Sequence, residues 1–213
     1  MNSRILLVNL LLILIIFGGL AAGLYYYNQN ANYISTDNAR VDGQQITISA
    51  VASGRLTEWR GQLGQTFAAG NRIGSIAPIG QTGTVAIDFP VNGTVVQQSV
   101  VPNSFVAAGT VLARAYDLSN LWITANIEET RYNDVKVGQA VDIYIDAFPG
   151  IVLSGRVDKI GQATAGSFSL MPSTNTTANY TKVAQVLPVT IVLDGYKGVS
   201  LAPGMSATVR IHI

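Results

Sequence analysis

The amino-acid sequence predicts an all-β protein with one N-terminal transmembrane helix. Three observations lead to this fold class: an apolar run near the N-terminus, a block that repeats itself at a constant offset, and a C-terminal half with several runs of alternating apolar and polar residues. The composition agrees, because only 12% of the residues are charged and the 21 glycines suit short strands joined by tight turns.

The apolar run extends from Ile5 to Leu24 and is long enough, as a helix, to span the ~30 Å hydrocarbon core of a bilayer. Arg4 precedes it, and no Lys or Arg follows before Arg40. The positive-inside rule therefore predicts a cytoplasmic N-terminus and an extracytoplasmic remainder.

Three aromatic residues follow the run at the depth of an interfacial aromatic belt: Tyr25, Tyr26 and Tyr27. We interpret residues 1–27 as the cytoplasmic tip and anchor of a single-pass protein of the cytoplasmic membrane. The alternative is a cleaved signal peptide, whose apolar core is normally only about 7–15 residues long.

An internal repeat follows, because residues 48–75 align with residues 87–114 without a gap, at an offset of 39. Each copy predicts two strands joined at a glycine turn and a third short strand after Ala-Ala-Gly. Neither copy buries enough apolar surface alone, so we expect the two to pack as a sandwich with pseudo-twofold symmetry. Four glycines of the repeat fit backbone positions with positive φ: Gly54, Gly70, Gly93 and Gly109.

The doubled pattern V-x-G-x-[VL] followed by [FV]-A-A-G-x-x-[IL] resembles a biotinyl/lipoyl-like domain, here over residues 48–117. The resemblance implies a flattened β-sandwich, which in carrier proteins presents a modified Lys where the two halves join. The joining segment here is 78–83, Pro-Ile-Gly-Gln-Thr-Gly, and it contains no Lys. We therefore expect a structural module without a cofactor.

The remaining residues, 118–213, predict a small antiparallel β-barrel. A strand over 118–127 is expected to follow a turn, and residues 128–135 to form one or two helical turns. Further alternating runs predict strands over 140–146, 152–160, 186–193 and 205–213.

Residues 164–182 differ from their surroundings, being rich in Ser, Thr, Asn and Ala. They predict a long exposed loop that nevertheless contains Phe168, Leu170 and Met171. These apolar side chains either fold back onto the barrel or contact a partner. We take them as candidate partner-contact residues.

The sequence offers no catalytic, metal or cofactor site. Cysteine is absent, and His212 is the single histidine, so the usual zinc sites and a Ser-His-Asp triad have no support. Glu128 and Glu129 are adjacent and would not share a helical face. A net charge of +1 gives no basic excess for nucleic acid. We predict that the protein is not an enzyme, and that Trp59 and Trp122 are core aromatics.

Several motifs resemble the drug-efflux branch of the HlyD/EmrA membrane fusion proteins. They occupy residues 33–41 (YISTDNARV), 117–122 (DLSNLW), 128–130 (EET), 137–139 (VGQ), 166–172 (GSFSLMP) and 187–189 (LPV).

The resemblance implies an anchor, a lipoyl-like domain and a β-barrel that the strand within residues 28–47 also joins. It implies an efflux adaptor that acts as a homo-oligomer and works with a multispanning exporter of the major facilitator type, or as second choice an ABC exporter. Family members that reach an outer-membrane channel carry an α-helical hairpin between the lipoyl halves. The short 78–83 segment has no room for one, so we expect no such channel partner. The alternative function is an anchored extracytoplasmic binding or complex-stabilising module.

Overall fold

The structure is a computed structural model that describes residues 11–20, 23, 32–163 and 185–213. Residues 11–20 are helical. Within the described ranges, no helix has the length and hydropathy needed to cross a bilayer. The anchor residues expected from the sequence, Ile5, Leu24, Tyr25, Tyr26 and Tyr27, lie outside the described residues.

Beyond the helical residues 11–20, the described fold comprises twelve strands and one 3₁₀ helix. The strands are β1 (Tyr33–Ser49), β2 (Gly54–Trp59), β3 (Thr66–Phe67), β4 (Arg72–Pro78), β5 (Val85–Asp88), β6 (Gly93–Gln98), β7 (Phe105–Val106), β8 (Val111–Glu128), β9 (Ala140–Ile145), β10 (Val152–Ile160), β11 (Val186–Leu193) and β12 (Ser206–His212); the 3₁₀ helix is Glu129–Asp134.

Six strands close into a barrel in the order β1-β12-β9-β10-β11-β8, with β8 pairing back to β1. The compact unit that contains it comprises the described residues up to Ala39, Ala125–Gly195 and Ala207–Ile213. Val141, Ile143 and Ile145 alternate inward on β9 and are at most 3% exposed, as their spacing predicts. The closed barrel leaves none of its six strands as an open edge.

The second compact unit, Arg40–Thr124 with Tyr196–Ser206, is a sandwich. One sheet has the order β5-β4-β2-β7, and the other continues from the paired β1 and β8 through β6 to β3. When 39 is subtracted from the residue numbers of the second copy, its strands coincide with those of the first copy. The largest buried side chains between the sheets are Leu56, Ile73, Ile76, Ile87, Phe89 and Leu112.

The pseudo-twofold symmetry is visible in hydrogen bonds that the two copies exchange. Gly70 N–H donates to Phe89 O at 2.8 Å, and the equivalent Gly109 N–H donates to Ala50 O at 2.8 Å. Side chains take part in the same way. Asn92 Oδ1 accepts from the N–H of Ala69, and Ser53 Oγ accepts from the N–H of Ala108, both at 2.9 Å. Each copy thus completes the other, and the predicted sandwich is confirmed.

The expectation of positive φ is confirmed for Gly70 (78°) and Gly109 (84°) but is wrong for Gly54 and Gly93. At these two positions glycine is needed because a side chain would not fit. A Cβ at Gly54 would overlap the carbonyl oxygen of Ala77, and a Cβ at Gly93 would lie 2.7 Å from Ile46 Cδ1. These positions are therefore close approaches between strands, not turns.

The expected turn before residue 118 is also absent, because β8 runs without interruption from Val111 to Glu128. Its first part pairs with β6 in the sandwich and its last residues belong to the barrel unit. The motif 117–122 that suggested a turn is instead an extended segment with local side-chain bonds.

Candidate functional site

The expected partner-contact residues, Phe168, Leu170 and Met171, lie outside the described residues. The chain on either side of them is fixed to the barrel. Gly161 N–H donates to Pro188 O at 2.7 Å, and Gln185 O accepts from the N–H of Glu129 at 3.0 Å. Gly161, at the end of β10, is thus bonded to β11, and Gln185, just before β11, is bonded to the first residue of the 3₁₀ helix.

A cavity of about 500 Å³ opens in the same unit. Its lining comes from the start of β1, the end of β8, the 3₁₀ helix and β12: Ile34, Ser35, Thr36, Asp37, Ile127, Glu128, Arg131 and Thr208. Ile34 and Ile127 are buried, whereas Asp37 and Glu128 are exposed. The surface that the lining exposes is therefore mainly polar and charged.

An irregular stretch of β1 places Asp37 at this rim. Thr36 Oγ1 donates to Asn126 O at 3.0 Å and accepts from the N–H of Asn38 at 3.1 Å. Asn126 Nδ2 in turn donates to Asn38 Oδ1 at 2.9 Å. The inside–outside alternation breaks here, because Asp37 and Asn38 are both exposed between buried Ile34 and Ala39. Such a break is typical of a strand that re-aims a side chain.

The charges at the rim are unevenly partnered. Arg131 Nε lies 3.2 Å from Asp134 Oδ2, one turn along the 3₁₀ helix. Glu128 stands at the N-cap of this helix but makes no side-chain capping bond. Its carboxylate accepts a long hydrogen bond of 3.4 Å from Thr130 Oγ1. The Asp37 carboxylate forms neither a side-chain hydrogen bond nor an ion pair within the described part of the chain.

His212 lies on the outer side of the barrel. Its Nε2 is 2.9 Å from Asp142 Oδ2, and its ring meets that of Tyr33 edge-on at a centroid distance of 4.8 Å. The contacts join β12 to β9 and β1. The structure thus gives His212 a packing and pairing role between strands.

The segment 117–122 is held by Tyr196, which the sequence did not identify. Tyr196 Oη donates to Ser119 O at 2.7 Å and accepts from the N–H of Leu121 at 3.0 Å. Asp117 adds local bonds to the N–H of Ser119 and to Asn120 Nδ2. A tyrosine 75 residues away in sequence from Leu121 gives no local signal for this role.

The segment joining the two sandwich copies is a short turn, as the sequence predicts. Ile76 of β4 pairs with Val85 of β5, and Gly80 and Gly83 have φ of 78° and 110°. Ile79 in this turn is 71% exposed. The turn carries no Lys that could hold a prosthetic group.

Several other polar groups have partners within the fold, whereas the buried Trp59 Nε1 has none among the described residues. Arg156 bonds to Asp194 Oδ1 at 2.8 Å, and this hydrogen bond, with the attraction of the carboxylate, raises the pKa of Arg156 further above its ordinary value. Trp59 packs against the sandwich core, as expected, and covers Gly74. Among the described residues, no three His, Cys, Asp or Glu side chains come together in a way that could hold a metal ion.

Comparison with known families explains this architecture. Residues 44–117 match the model of the YhbJ barrel-sandwich hybrid domain, and residues 120–212 match the AAEA-like β-barrel domain. Over 210 residues the chain is 39% identical to an efflux system component, YhbJ, of Bacillus subtilis, covering 99% of this chain and 93% of YhbJ. The chain belongs to the EmrA-like membrane fusion proteins.

Longer members of the family match over part of their length. The chain is 38% identical over 109 residues to the multidrug resistance protein EmrK of Escherichia coli, which covers 51% of this chain but only 28% of EmrK. The solved structure of the periplasmic adaptor protein EmrA superposes with a TM-score of 0.56 at 12% identity, over 85% of this chain and 98% of that one. This structural likeness supports the same fold, a sandwich with a barrel.

Proposed function

We propose that this membrane fusion protein is the membrane-anchored adaptor subunit of a drug or small-molecule efflux system. It works with a multispanning exporter of the cytoplasmic membrane, of the major facilitator type in preference to an ABC exporter. The observation that carries the proposal is the 39% identity to an efflux system component over nearly the whole of both chains. In this proposal the adaptor performs no chemistry of its own.

The proposal is tested by a pull-down. The tagged chain is purified from detergent-solubilised membranes, and the co-purified proteins are identified by mass spectrometry. Recovery of a multispanning exporter, together with drug sensitivity on deletion of the adaptor, is expected. Recovery of the chain with no transporter would contradict the proposal and favour an anchored binding module.

We further propose that Phe168, Leu170 and Met171 contact the exporter, because apolar side chains in a polar segment need a partner surface. Replacing all three with Ser is expected to lower co-purification of the exporter and drug resistance. The matched control replaces Thr174, Thr176 and Thr177 with Ser in the same segment. Equal behaviour of the two triple variants would refute the assignment.

We propose a topology with a single membrane anchor at residues 5–24 and a cytoplasmic N-terminus. Because the chain has no cysteine, single thiols can be introduced without a background. Ser200→Cys is expected to react with a membrane-impermeant maleimide in intact cells, and Ser3→Cys only after the membrane is opened. A mature protein whose mass lacks the first 20 or so residues would instead indicate a cleaved signal.

The adaptor is proposed to act as a homo-oligomer without an outer-membrane channel. The turn at 79–84 supports the absence of a channel partner, since β4 and β5 pair directly across this turn and no helical hairpin lies between them. Light scattering, corrected for the mass of bound detergent, measures the number of subunits in the particle. A pull-down that contains an outer-membrane channel would contradict the absence of a channel partner.

A further inference from the structure

The motif at residues 137–139 forms a turn at one end of the barrel unit. Gln139 N–H donates to Lys136 O at 3.3 Å, and Gly138, the third residue of the turn, has a φ of 91°. This is the pattern of a type II turn. The Gln139 side chain closes the turn, because its Oε1 accepts from the N–H of Lys136 at 2.8 Å and its Nε2 donates to Asp134 O at 3.1 Å. The turn is therefore held in one shape by its own residues.

The turn holds an aliphatic side chain out from the barrel. Val137 is 65% exposed, more than any other large apolar side chain in the described strands and turns of the barrel unit. Gly138 N–H also donates to Val157 O at 2.8 Å, so Val137 could turn inward only if backbone hydrogen bonds were broken. A single exposed valine is ordinary on a protein surface. Its place in the fold therefore decides what it can contact.

This place is the end of the barrel at which the chain enters from the N-terminal side. The turn leads directly into β9, and Val141 of β9 pairs with Ile211 of β12. Two residues beyond Ile211, Ile213 N–H donates at 3.0 Å to the carbonyl oxygen of Asn32, which immediately precedes β1. The turn, the end of β12 and the start of β1 therefore lie at the same end of the barrel.

The chain length before β1 limits how far this end can lie from the bilayer. The proposed anchor ends at Leu24, eight residues before Asn32. An extended chain spans at most 3.3–3.6 Å per residue, so the two residues are at most about 29 Å apart. The opposite end of the barrel lies farther away by the length of β9, about 20 Å for a strand of six residues. The anchor therefore tethers the end that carries Val137.

The side chains exposed at the tethered end suit a lipid interface. Val137 and Ile213 are exposed aliphatic residues, and Tyr33 opens β1. Lys136 is exposed beside Val137 and can extend its ammonium group to a phosphate while its stem lies against apolar groups. Tyrosine and lysine are side chains typical of the boundary between water and hydrocarbon.

We propose that the turn of residues 136–139 contacts the lipid surface, with Val137 entering the headgroup region of the extracytoplasmic leaflet. Ile213 and Tyr33 lie at the same end and face the same surface. The inference rests on the proposed anchor and adds a second contact with the bilayer. Together, the two contacts fix which end of the barrel points to the membrane.

The test uses the full chain in phosphatidylcholine vesicles without an exporter. Because the chain has no cysteine, Val137→Cys and Ile151→Cys can each carry one fluorescent label. Ile151 is the matched control, since it is an exposed aliphatic residue in the turn that joins β9 to β10 at the opposite end of the barrel. Nitroxide-labelled phosphatidylcholine is expected to quench the label at 137 severalfold more than the label at 151, and aqueous iodide to quench it less. Equal quenching at the two positions would overturn the inference.

A second pair of variants tests the role of the valine itself. The label is placed at Ile213→Cys, and Val137→Asn is expected to lower its quenching by the lipid nitroxide, because the turn then loses its apolar contact. Val192→Asn removes an exposed valine from β11 and is expected to leave the quenching unchanged. Equal effects of the two asparagine variants would refute the contact.

Flotation after carbonate extraction separates this inference from the proposed anchor. A chain that stays with the vesicles but leaves the label at 137 open to iodide would refute the lipid contact and leave the anchor standing. A chain that carbonate removes would overturn both. A label at 137 that becomes shielded only when a co-purified exporter is reconstituted would also overturn the lipid contact and assign the turn to the exporter.

Discussion

The substitution Gly54→Ala should destabilise the sandwich far more than the symmetry-related Gly93→Ala. A Cβ at position 54 would overlap the carbonyl oxygen of Ala77 and lie 2.8 Å from Ala77 C, which is backbone of the neighbouring strand. A Cβ at position 93 first meets Ile46 Cδ1 at 2.7 Å, the far end of a flexible side chain, and then Tyr116 O at 3.1 Å. Backbone can move only if β2 and β4 separate, whereas the Ile46 side chain can rotate.

The magnitudes follow from this difference. Overpacking costs about 1–3 kcal/mol, and separating β2 from β4 at Gly54 also weakens ladder hydrogen bonds worth about 1 kcal/mol each. We expect Gly54→Ala to lower the free energy of unfolding by about 3–4 kcal/mol. Gly93→Ala should cost about 1 kcal/mol, because the loss of unfolded-chain entropy on Gly→Ala offsets part of the crowding.

Urea unfolding followed by tryptophan fluorescence measures both values. Trp59 and Trp122 lie in the same compact unit as the two glycines, so the signal reports that unit. Gly195→Ala, in the barrel unit, is the control for Gly→Ala without crowding, since nothing lies within 4 Å of its Cβ position, and it should change stability by less than about 1 kcal/mol. Equal destabilisation by the Gly54 and Gly93 variants would refute the reasoning.

Three further substitutions test individual contacts. Tyr196→Phe should cost about 1–3 kcal/mol in the same urea assay, because it leaves the part-buried N–H of Leu121 without an acceptor; a smaller loss than for Tyr116→Phe, which removes an exposed hydrogen bond of the same unit, would contradict this. Asn92→Ala removes the acceptor of an exposed backbone N–H and should cost about 1 kcal/mol, and a neutral result would mean that water replaces it. Arg156→Gln should move the urea midpoint only slightly, and less at high salt, because its pair with Asp194 is exposed; a large shift that persists in salt would count against a surface ion pair.

The sequence was most informative where structure is local or repeated. The alternation of Val141, Ile143 and Ile145 predicts an inward face that depends only on the period of a strand. The offset of 39 predicts the sandwich, because two copies with one pattern must make equivalent contacts. Neither inference requires knowledge of which residues meet across long separations in the chain.

Contacts between residues far apart in the sequence limit what the sequence alone could predict. Gly54 and Gly93 belong to turn-like tripeptides, and only the approach of a neighbouring strand explains why they are glycines. Asp117 to Asn120 has the composition of a turn, yet the pairing of β8 and the hydroxyl of Tyr196 keep it extended.

The cavity residues were missed for the same reason. Asp37 lies within the motif 33–41, but its position at a rim depends on Asn126 bonding its two neighbours across 88 to 90 residues. The break in the buried–exposed alternation at residues 37–38 is the one local sign of the position of Asp37 at the rim.

The direct pairing of Ile76 with Val85 has a consequence for how such chains can lengthen. Both ends of the turn at 79–84 are already held together by the ladder, so inserted residues need not close a new gap. Each doubling of an inserted loop would cost only about 0.6 kcal/mol in closure entropy. The reciprocal bonds between the copies, such as those of Gly70 and Gly109, lie elsewhere in the sandwich and would be unchanged. The sandwich can therefore tolerate large insertions at this turn, and proteins of very different length can share it.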